Sequence, residues 1–279
     1  GGVFYTGRDW TSRGSVVRHN FIHHVEDTQE GCGSSTRFLH LDDSAPEVEV
    51  HGNVCYRIGG GVSICGGAAN SVHDNLFVEC AWGVDIAPRG KDMFEPDGQG
   101  GFTMVGQPGW TSLARYLDRY KWNQPPYSTR YPKLVEIFTR RPIAAPWFNT
   151  VTRNVMADCG RGIRSSGMEP EWSFVAGNWE GEDPGFVETD HTKLDFRLRD
   201  MAPVYDEVGF VPLDIDGVGL YESPDRRSWP VALDLPPEDW QPRWMRLREE
   251  AKRSPTDLPV FRAMQVTGEI VIDGTVGHM

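Results

Sequence analysis

The sequence has few of the features that mark a disulfide-stabilised, metal-bound or membrane-spanning protein. It contains five cysteines in 279 residues. Their number is odd and none of them forms a Cys-x-x-Cys pair, so we expect neither a disulfide framework nor a zinc site. No apolar run approaches the roughly 18 residues that a membrane-spanning helix requires, so we expect no membrane contact.

Positive charge is also scarce. There are 28 lysines and arginines against 40 aspartates and glutamates, which gives a formal net charge of −12. Such a surface repels phosphate backbones, so nucleic acid is an unfavourable partner. It disfavours strongly anionic polysaccharides as well, unless a local basic cleft overrides the overall charge.

The ends of the chain lack an initiator methionine and an export signal. The sequence begins Gly1-Gly2-Val3 and stops soon after a strand-like segment. We therefore interpret it as a fragment of a longer protein, so that a missing signal peptide carries no information about export.

What the sequence does have is an internal repeat. The pattern Val-x-x-Asn occurs five times, and two of its steps are 22 and 24 residues long. A period near 22, with short alternating strands between turns, is typical of a right-handed parallel β-helix, in which stacked coils share one core. Asparagine suits such a turn because it tolerates left-handed backbone and its amide can bond to the next coil. The repeated asparagines are Asn20, Asn53, Asn75, Asn154 and Asn178.

Several segments interrupt or follow the coils. Residues 26–36 form a short insertion, and residues 91–147 form a long one with helix-like stretches at 113–120 and 131–138. The predicted fold is thus an all-β solenoid over residues 1–222, with a helical insertion at 91–147. Upstream coils are expected to be missing from this fragment. Residues 195–222 are predicted to hold a last strand and an irregular cap, and residues 223–279 a C-terminal cap or linker with a capping helix at 236–253.

Strand alternation identifies the outward-facing residues of one sheet. Equivalent positions on adjacent coils form columns, and such columns make the functional face of a solenoid. We predict one column of Phe4, His40, Ser63, Asp85 and Arg164, and a neighbouring one of Thr6, Asp42, Cys65, Ala87 and Ser166.

Two aspartates on this face suggest acid/base chemistry. Asp42 and Asp85 lie two coils apart, about 10 Å along the solenoid axis, with the small residue Ser63 between them. That separation suits a pocket one sugar ring long and favours an inverting glycosidase. Asp43, at the adjacent turn, competes for the same role. The alternative is that each aspartate only caps a turn.

Other side chains are candidates for holding a sugar. Histidine and arginine can orient or bind hydroxyl groups, and exposed tryptophans can stack on sugar faces. Each has a structural alternative, namely solvation, ion pairing or packing within the insertion. The predicted substrate-binding residues are His40, Ser63, Arg164, Arg8, Trp10, Arg89, Trp110 and Trp122, and no metal ligand is predicted.

Four stretches resemble a bacterial family of secreted right-handed parallel β-helix proteins. They are residues 5–14, 17–24, 41–43 and 84–90, within a resemblance that covers about residues 1–225. Among characterised proteins they resemble glycoside hydrolase family 141, a pectin-lyase-like group with α-L-fucosidase and xylanase activities. The string Phe38-Leu-His-Leu-Asp-Asp43 resembles the family's G-I-Y-L-D-D, and Val84-Asp-Ile-Ala-Pro-Arg-Gly90 resembles its H-L-D-A-R-G.

The resemblance implies a secreted, periplasmic or cell-surface enzyme that acts on polysaccharide, with Asp42 or Asp43 paired with Asp85. His40 departs from the family string. Because a solenoid surface has no free lateral strand, we also expect a monomer.

Three functions remain open at this point. The first is a glycoside hydrolase without metal or cofactor, in which one aspartate protonates the leaving oxygen and the other activates water. The second is a polysaccharide lyase on uronate glycans, with a Lys, Arg, His or Tyr base and with Ca²⁺ or a cationic side chain neutralising the uronate. The third is a non-catalytic carbohydrate-binding or adhesion module.

Overall fold

Most strands of the described chain are parallel and stack in three sheets of five strands each. The strands follow the backbone in turn from sheet to sheet, so that three strands make one coil and neighbouring coils pair side by side. This arrangement is compatible with a parallel β-helix. The computed structural model describes residues 1–25, 36–92, 94–96, 102–104, 116–117, 119–218, 222–225 and 235–252.

The first sheet carries the candidate site. Its strands lie in the order β1 (Gly2–Gly7), β4 (Arg37–Asp42), β7 (Gly60–Cys65), β10 (Trp82–Ala87) and β15 (Arg161–Arg164), and every neighbouring pair is parallel.

The second and third sheets complete the coils. The second contains β2 (Ser15–Arg18), β5 (Val48–His51), β8 (Ser71–His73), β13 (Asn149–Thr152) and β16 (Ser173–Ala176). The third contains β3 (Phe21–Val25), β6 (Val54–Ile58), β9 (Leu76–Val78), β14 (Val155–Ala157) and β17 (Trp179–Gly181).

The core between the sheets is built from stacked apolar positions. Val50, Val72 and Val151 follow one another on adjacent strands, and Val62 and Val84 do the same in the first sheet. All five are fully buried. Each coil alone buries little apolar surface, so the stability of the solenoid comes from stacking neighbours.

The predicted asparagine stack exists and runs through all five coils. Each side-chain amide donates to the amide oxygen of the next asparagine at 2.8–2.9 Å, and the three central members are fully buried. The left-handed residue is the one before each asparagine, such as Asp74 (φ 51°) before Asn75. The asparagine side chain therefore donates hydrogen bonds to the carbonyl groups of the turn, and the residue before it supplies the left-handed backbone of that turn.

A second, shorter polar stack was not predicted. The Asn70 amide donates to Asn149 at 3.0 Å, and the Asn149 amide lies 3.3 Å from the Ser173 hydroxyl. These residues do not follow the Val-x-x-Asn pattern, which is why the repeat gave no signal for them.

The register of the first coil differs from the prediction by one residue. Phe4 pairs with Leu39 and Tyr5 pairs with His40, so Tyr5 rather than Phe4 belongs to the outward column. Gly7 rather than Thr6 pairs with Asp42. The end strand is half exposed, and Phe4 and Tyr5 are 39% and 55% accessible. Burial therefore does not select between the two registers of the apolar run.

The long insertion is partly helical. It contains an antiparallel hairpin of β11 (Phe94–Pro96) and β12 (Phe102–Met104), which was not predicted, and the helices α1 (Tyr127–Arg130) and α2 (Pro132–Ile137). Helix α2 confirms the stretch predicted at 131–138, and the described residues of the stretch predicted at 113–120, namely 116, 117, 119 and 120, are helical as well. Residues 26–35 of the predicted short insertion lie outside the described residues.

The region after the last coil is not a strand. Residues 186–218 hold short helical turns and α3 (Pro203–Glu207), with one isolated bridge between Phe186 and Leu198. Pro203 and Pro212 cannot donate to a strand ladder, and the segment instead packs Phe196 and its neighbours on the third sheet.

The C-terminal helix is shorter than predicted. Helix α4 spans Arg243–Lys252, not 236–253. Prolines at 236, 237 and 242 prevent an earlier start, because the residue before a proline avoids helical backbone. No helix in the described ranges is long and apolar enough to cross a bilayer.

Removing a central member of the asparagine stack should destabilise the protein more than removing its end. Asn75→Ala removes the acceptor of the Asn53 backbone N–H, one acceptor of the Asn53 side-chain amide, and the donor to the carbonyls of Val50 and His73, and we expect a loss of about 3 kcal/mol or more. Asn20→Ala affects a partly exposed turn and should cost about 1 kcal/mol. Urea unfolding measures both, and equal losses would contradict the stack as a cooperative element.

Candidate functional site

The outward face of the first sheet gathers most of the predicted site residues. Along one column, in register, lie Tyr5, His40, Ser63, Asp85 and Arg164. Asp42 follows Leu41, which pairs with Ile64, so Asp42 lies opposite Cys65 in the adjacent column. Alternation within a strand puts residues two apart on the same face, and this places His40 beside Asp42.

An indole ring lies flat beside this column. A side chain at Gly60 would collide with the ring of Trp82, so the glycine leaves room for the ring across the neighbouring strand. The guanidinium groups of Arg37 and Arg164 lie 5.9 and 5.2 Å from the centroid of the Trp82 ring. Both contacts are cation–π interactions. Sequence reasoning missed Arg37 and Trp82, although Trp82 stands one residue before the Gly83-Val84 step and Arg37 precedes the equivalent strand positions Phe38-Leu39, which was a usable signal.

Asp42 is a buried carboxyl group with two different oxygen environments. The Tyr5 hydroxyl donates to Oδ2 at 2.9 Å. Oδ1 lies 3.4 Å from His40 Nε2 and 4.0 Å from Arg89 Nη1, and it accepts no hydrogen bond. One oxygen is thus fixed, while the other faces the cluster without a bonded partner.

Asp43 holds two arginines at a tight turn. It is only 1% exposed, and its backbone is left-handed (φ 38°). Arg8 Nε donates to Oδ2 at 2.6 Å, and Arg89 Nε lies 3.0 Å from Oδ1. The two guanidinium groups, predicted to bind substrate, therefore compensate a buried carboxylate.

Asp85 lies two coils further along and is half-buried. Its Oδ1 is 3.4 Å from Arg164 Nε, so the predicted alternative of an ion pair between these residues is observed. Burial raises the pKa of Asp85, and the positive charges of Arg164 and Arg37 oppose that rise. The net direction is upward, so Asp85 keeps its proton to a higher pH than an ordinary aspartic acid does.

The neighbouring histidine and cysteine are both in their neutral forms near pH 7. Burial, followed by the charge of Arg37, lowers the pKa of His40, and burial raises the pKa of Cys65. Cys65 Sγ lies 3.5 Å from His40 Nε2 and 3.3 Å from the Ser63 hydroxyl. A thiol beside a neutral imidazole is a weak nucleophile, so this pair does not resemble an activated cysteine.

Asp42 and Asp85 are further apart than the sequence estimate. They lie two strands apart and also two residues apart along the strands, so their Cα atoms are separated by about 12 Å. The diagonal offset adds to the axial spacing. Ser63, which lies on the strand between them and was predicted to bind substrate, is fully buried, so it has no surface with which to contact a sugar in this structure.

The two predicted tryptophans that the structure describes, Trp10 and Trp122, do not line this face. Trp10 is 2% exposed and packs edge-on against Phe138 at 5.6 Å, so its prediction as an exposed sugar-stacking residue is wrong. The helices of the insertion cover it. Trp122 is partly buried and lies 4.1 Å from the same Phe138 ring, which favours its packing alternative. Trp110 lies outside the described residues.

Comparison with known proteins gives no family for the chain. No family model matches it, and no curated protein and no solved structure is significantly similar to it. The resemblance to glycoside hydrolase family 141 therefore stays a prediction that depends on the motifs.

Arg8 and Arg89 should together stabilise the buried carboxylate of Asp43 in the folded protein. Replacing either one by Gln leaves the other arginine on the carboxylate, so we expect a loss of about 1 kcal/mol or less in the free energy of unfolding. The double variant leaves a buried carboxylate uncompensated and should lose about 3–5 kcal/mol. A double-mutant cycle by chemical denaturation measures the coupling, and strictly additive losses would contradict a shared clamp.

Proposed function

We propose that the chain is a carbohydrate-active enzyme, a glycoside hydrolase that uses Asp85 as the general acid and Asp42 as the general base. The observation that carries the proposal is the placement of two carboxyl groups in unlike surroundings on one outward face of a sheet. Glycosidases assign acid and base roles through such differences in environment.

The surroundings of Asp85 suit a proton donor. Its burial raises its pKa, so a larger fraction is protonated near neutral pH than for an exposed aspartic acid. Arg164, at 3.4 Å, can stabilise the carboxylate that remains after the proton passes to the leaving oxygen. Burial therefore favours the protonated form of Asp85 before the reaction, and Arg164 stabilises the carboxylate after the proton is transferred.

Asp42 is better suited than Asp43 to accept a proton from water. Tyr5 fixes Oδ2 of Asp42, and Oδ1 is buried without a hydrogen-bond donor, so it is the oxygen that would accept a proton from a water molecule admitted to the face. Both oxygens of Asp43 face arginines, and the residue is nearly inaccessible.

The wider proposal follows the motif resemblance. The chain would be a right-handed parallel β-helix of the glycoside hydrolase family 141 type, monomeric, secreted or at the cell surface, acting on a plant or algal cell-wall type polysaccharide. The three parallel sheets and the asparagine stack support the solenoid part of this proposal.

One observation favours a lyase as the second candidate. Arg37 forms no ion pair with any carboxylate in the described part of the chain, and it lies next to Trp82 and His40. An unneutralised guanidinium on this face could bind the carboxylate of a uronate, and His40 or Tyr5 could then act as base. The raised pKa of Tyr5, from burial and its bond to Asp42, weighs against the tyrosine.

Single amide substitutions should separate these functions. We expect Asp85→Asn and Asp42→Asn each to lower hydrolysis of a responsive glycan by at least about 100-fold, because each removes one partner of the acid/base pair. Digests of fucosylated pectin, xylan and uronate polymers, read by mass spectrometry, measure the products. Asp206→Asn, on an exposed helix away from the face, is the matched control and should keep wild-type activity.

The products also distinguish the candidates. New reducing ends without unsaturated sugars support the hydrolase, whereas unsaturated uronates from wild type would establish the lyase. Glycan retention by wild type and by both variants, with turnover by none, would establish a binding module and make the two aspartates structural.

A further inference from the structure

Three potential metal ligands converge on the outward face of the first sheet. His40 and Asp42 lie two residues apart on β4, and Cys65 lies on β7 opposite Asp42. A ligand atom from each side chain falls within 4.8 Å of the other two. Adjacent strands in fixed register hold the three, so the cluster is pre-formed by the backbone.

Two of the three separations match those of a tetrahedral metal site, and the third, between Asp42 and Cys65, is at most 4.8 Å. Zinc bonded to sulfur at about 2.3 Å and to nitrogen and oxygen at about 2.1 Å separates its ligands by roughly 3.4–3.6 Å. His40 Nε2 lies 3.4 Å from Asp42 Oδ1 and 3.5 Å from Cys65 Sγ. Both distances fall within that range.

The orientation of the ligands is set by their neighbours. Tyr5 donates to Oδ2 of Asp42, which turns Oδ1 toward the cluster, and Oδ1 is buried with no hydrogen-bond partner. The Ser63 hydroxyl, 3.3 Å from Cys65 Sγ, can donate to a thiolate. Hydrogen bonds of this kind orient the ligands of metal sites, and an unbonded buried carboxylate oxygen is itself a reason to look for a bound cation.

We propose that His40, Asp42 and Cys65 form a binding site for Zn²⁺, with a water molecule as the fourth ligand. Imidazole, thiolate and carboxylate together form a donor set that suits zinc. Binding replaces the thiol proton of Cys65, which is released, and changes no oxidation state. The two anionic ligands then balance the charge of the ion, which allows it to sit close to Arg89.

Arg37 disfavours the binding of zinc at this site. Zinc takes the lone pair of His40 Nε2, so Nδ1 must carry the ring proton, yet Arg37 Nη1 lies only 3.4 Å from Nδ1 and is itself a donor. The arginine has to withdraw when the metal binds. Arg37→Gln supplies an amide oxygen that accepts from Nδ1–H, so this variant should bind zinc about 10-fold more tightly than wild type.

The site is independent of the proposed hydrolase, because it is measured by binding. If the hydrolase proposal also holds, Zn²⁺ inhibits the enzyme, since Asp42 bound to the ion no longer accepts a proton from water. Failure of either proposal leaves the other standing.

The test uses the full chain stripped with a chelator and kept reduced. Titration with Zn²⁺ against a chromophoric chelator gives stoichiometry and affinity, and titration with Co²⁺ reports a thiolate ligand through its charge-transfer band. We expect one ion per chain, at least about 100-fold weaker binding in Cys65→Ser and in His40→Ala, and no thiolate band in Cys65→Ser. Cys159→Ser, which removes a thiol from the far side of the core, should bind as wild type does.

Circular dichroism establishes that each variant is folded before it is compared. Equal binding by wild type, Cys65→Ser and His40→Ala would overturn the site, as would an absent thiolate band in the wild-type cobalt complex. Unchanged or weaker zinc affinity in Arg37→Gln would contradict ligation through Nε2.

Discussion

The in-register stacking of coils is the constraint on which the rest of this structure depends. Parallel pairing fixes which residue lies above which, and the buried asparagine amides lock that register at every turn. A slip of one residue would reverse the inward and outward faces of a strand. The chemistry of the face is therefore a direct consequence of the stack, because His40, Ser63 and Asp85 share a column only in this register.

The repeat made the solenoid predictable from the sequence. The predictions that the structure contradicts have physical causes. Asn53 and Asn75 mark equivalent turns, so the middle coils align correctly from the sequence. The sequence alignment of the first coil is wrong by one residue because its apolar run is half exposed, so that burial does not determine which of two registers the strand adopts. Trp10 looks like a surface residue in the sequence because the helices that bury it come more than a hundred residues later.

The electrostatics of the face could not be deduced from composition. The chain carries a net charge of −12, yet four arginines lie around the three aspartates of the face. Three of these arginines are paired with carboxylates, and the pairing leaves Asp42 with one oxygen that no donor reaches. Columns from sequence predict which residues share a face, but only the structure shows which charges compensate one another. That oxygen is the point where the proposed base and the proposed zinc ligand coincide.

The central claim is that Asp85 is a carboxyl group kept protonated by its surroundings. Carbon-13 NMR of the aspartate side-chain carboxyls, titrated with pH and assigned with Asp85→Asn, measures this directly. The account predicts that Asp85 titrates above the usual aspartic acid value of about 3.9. A midpoint for Asp85 at or below that value would contradict its role as the proton donor.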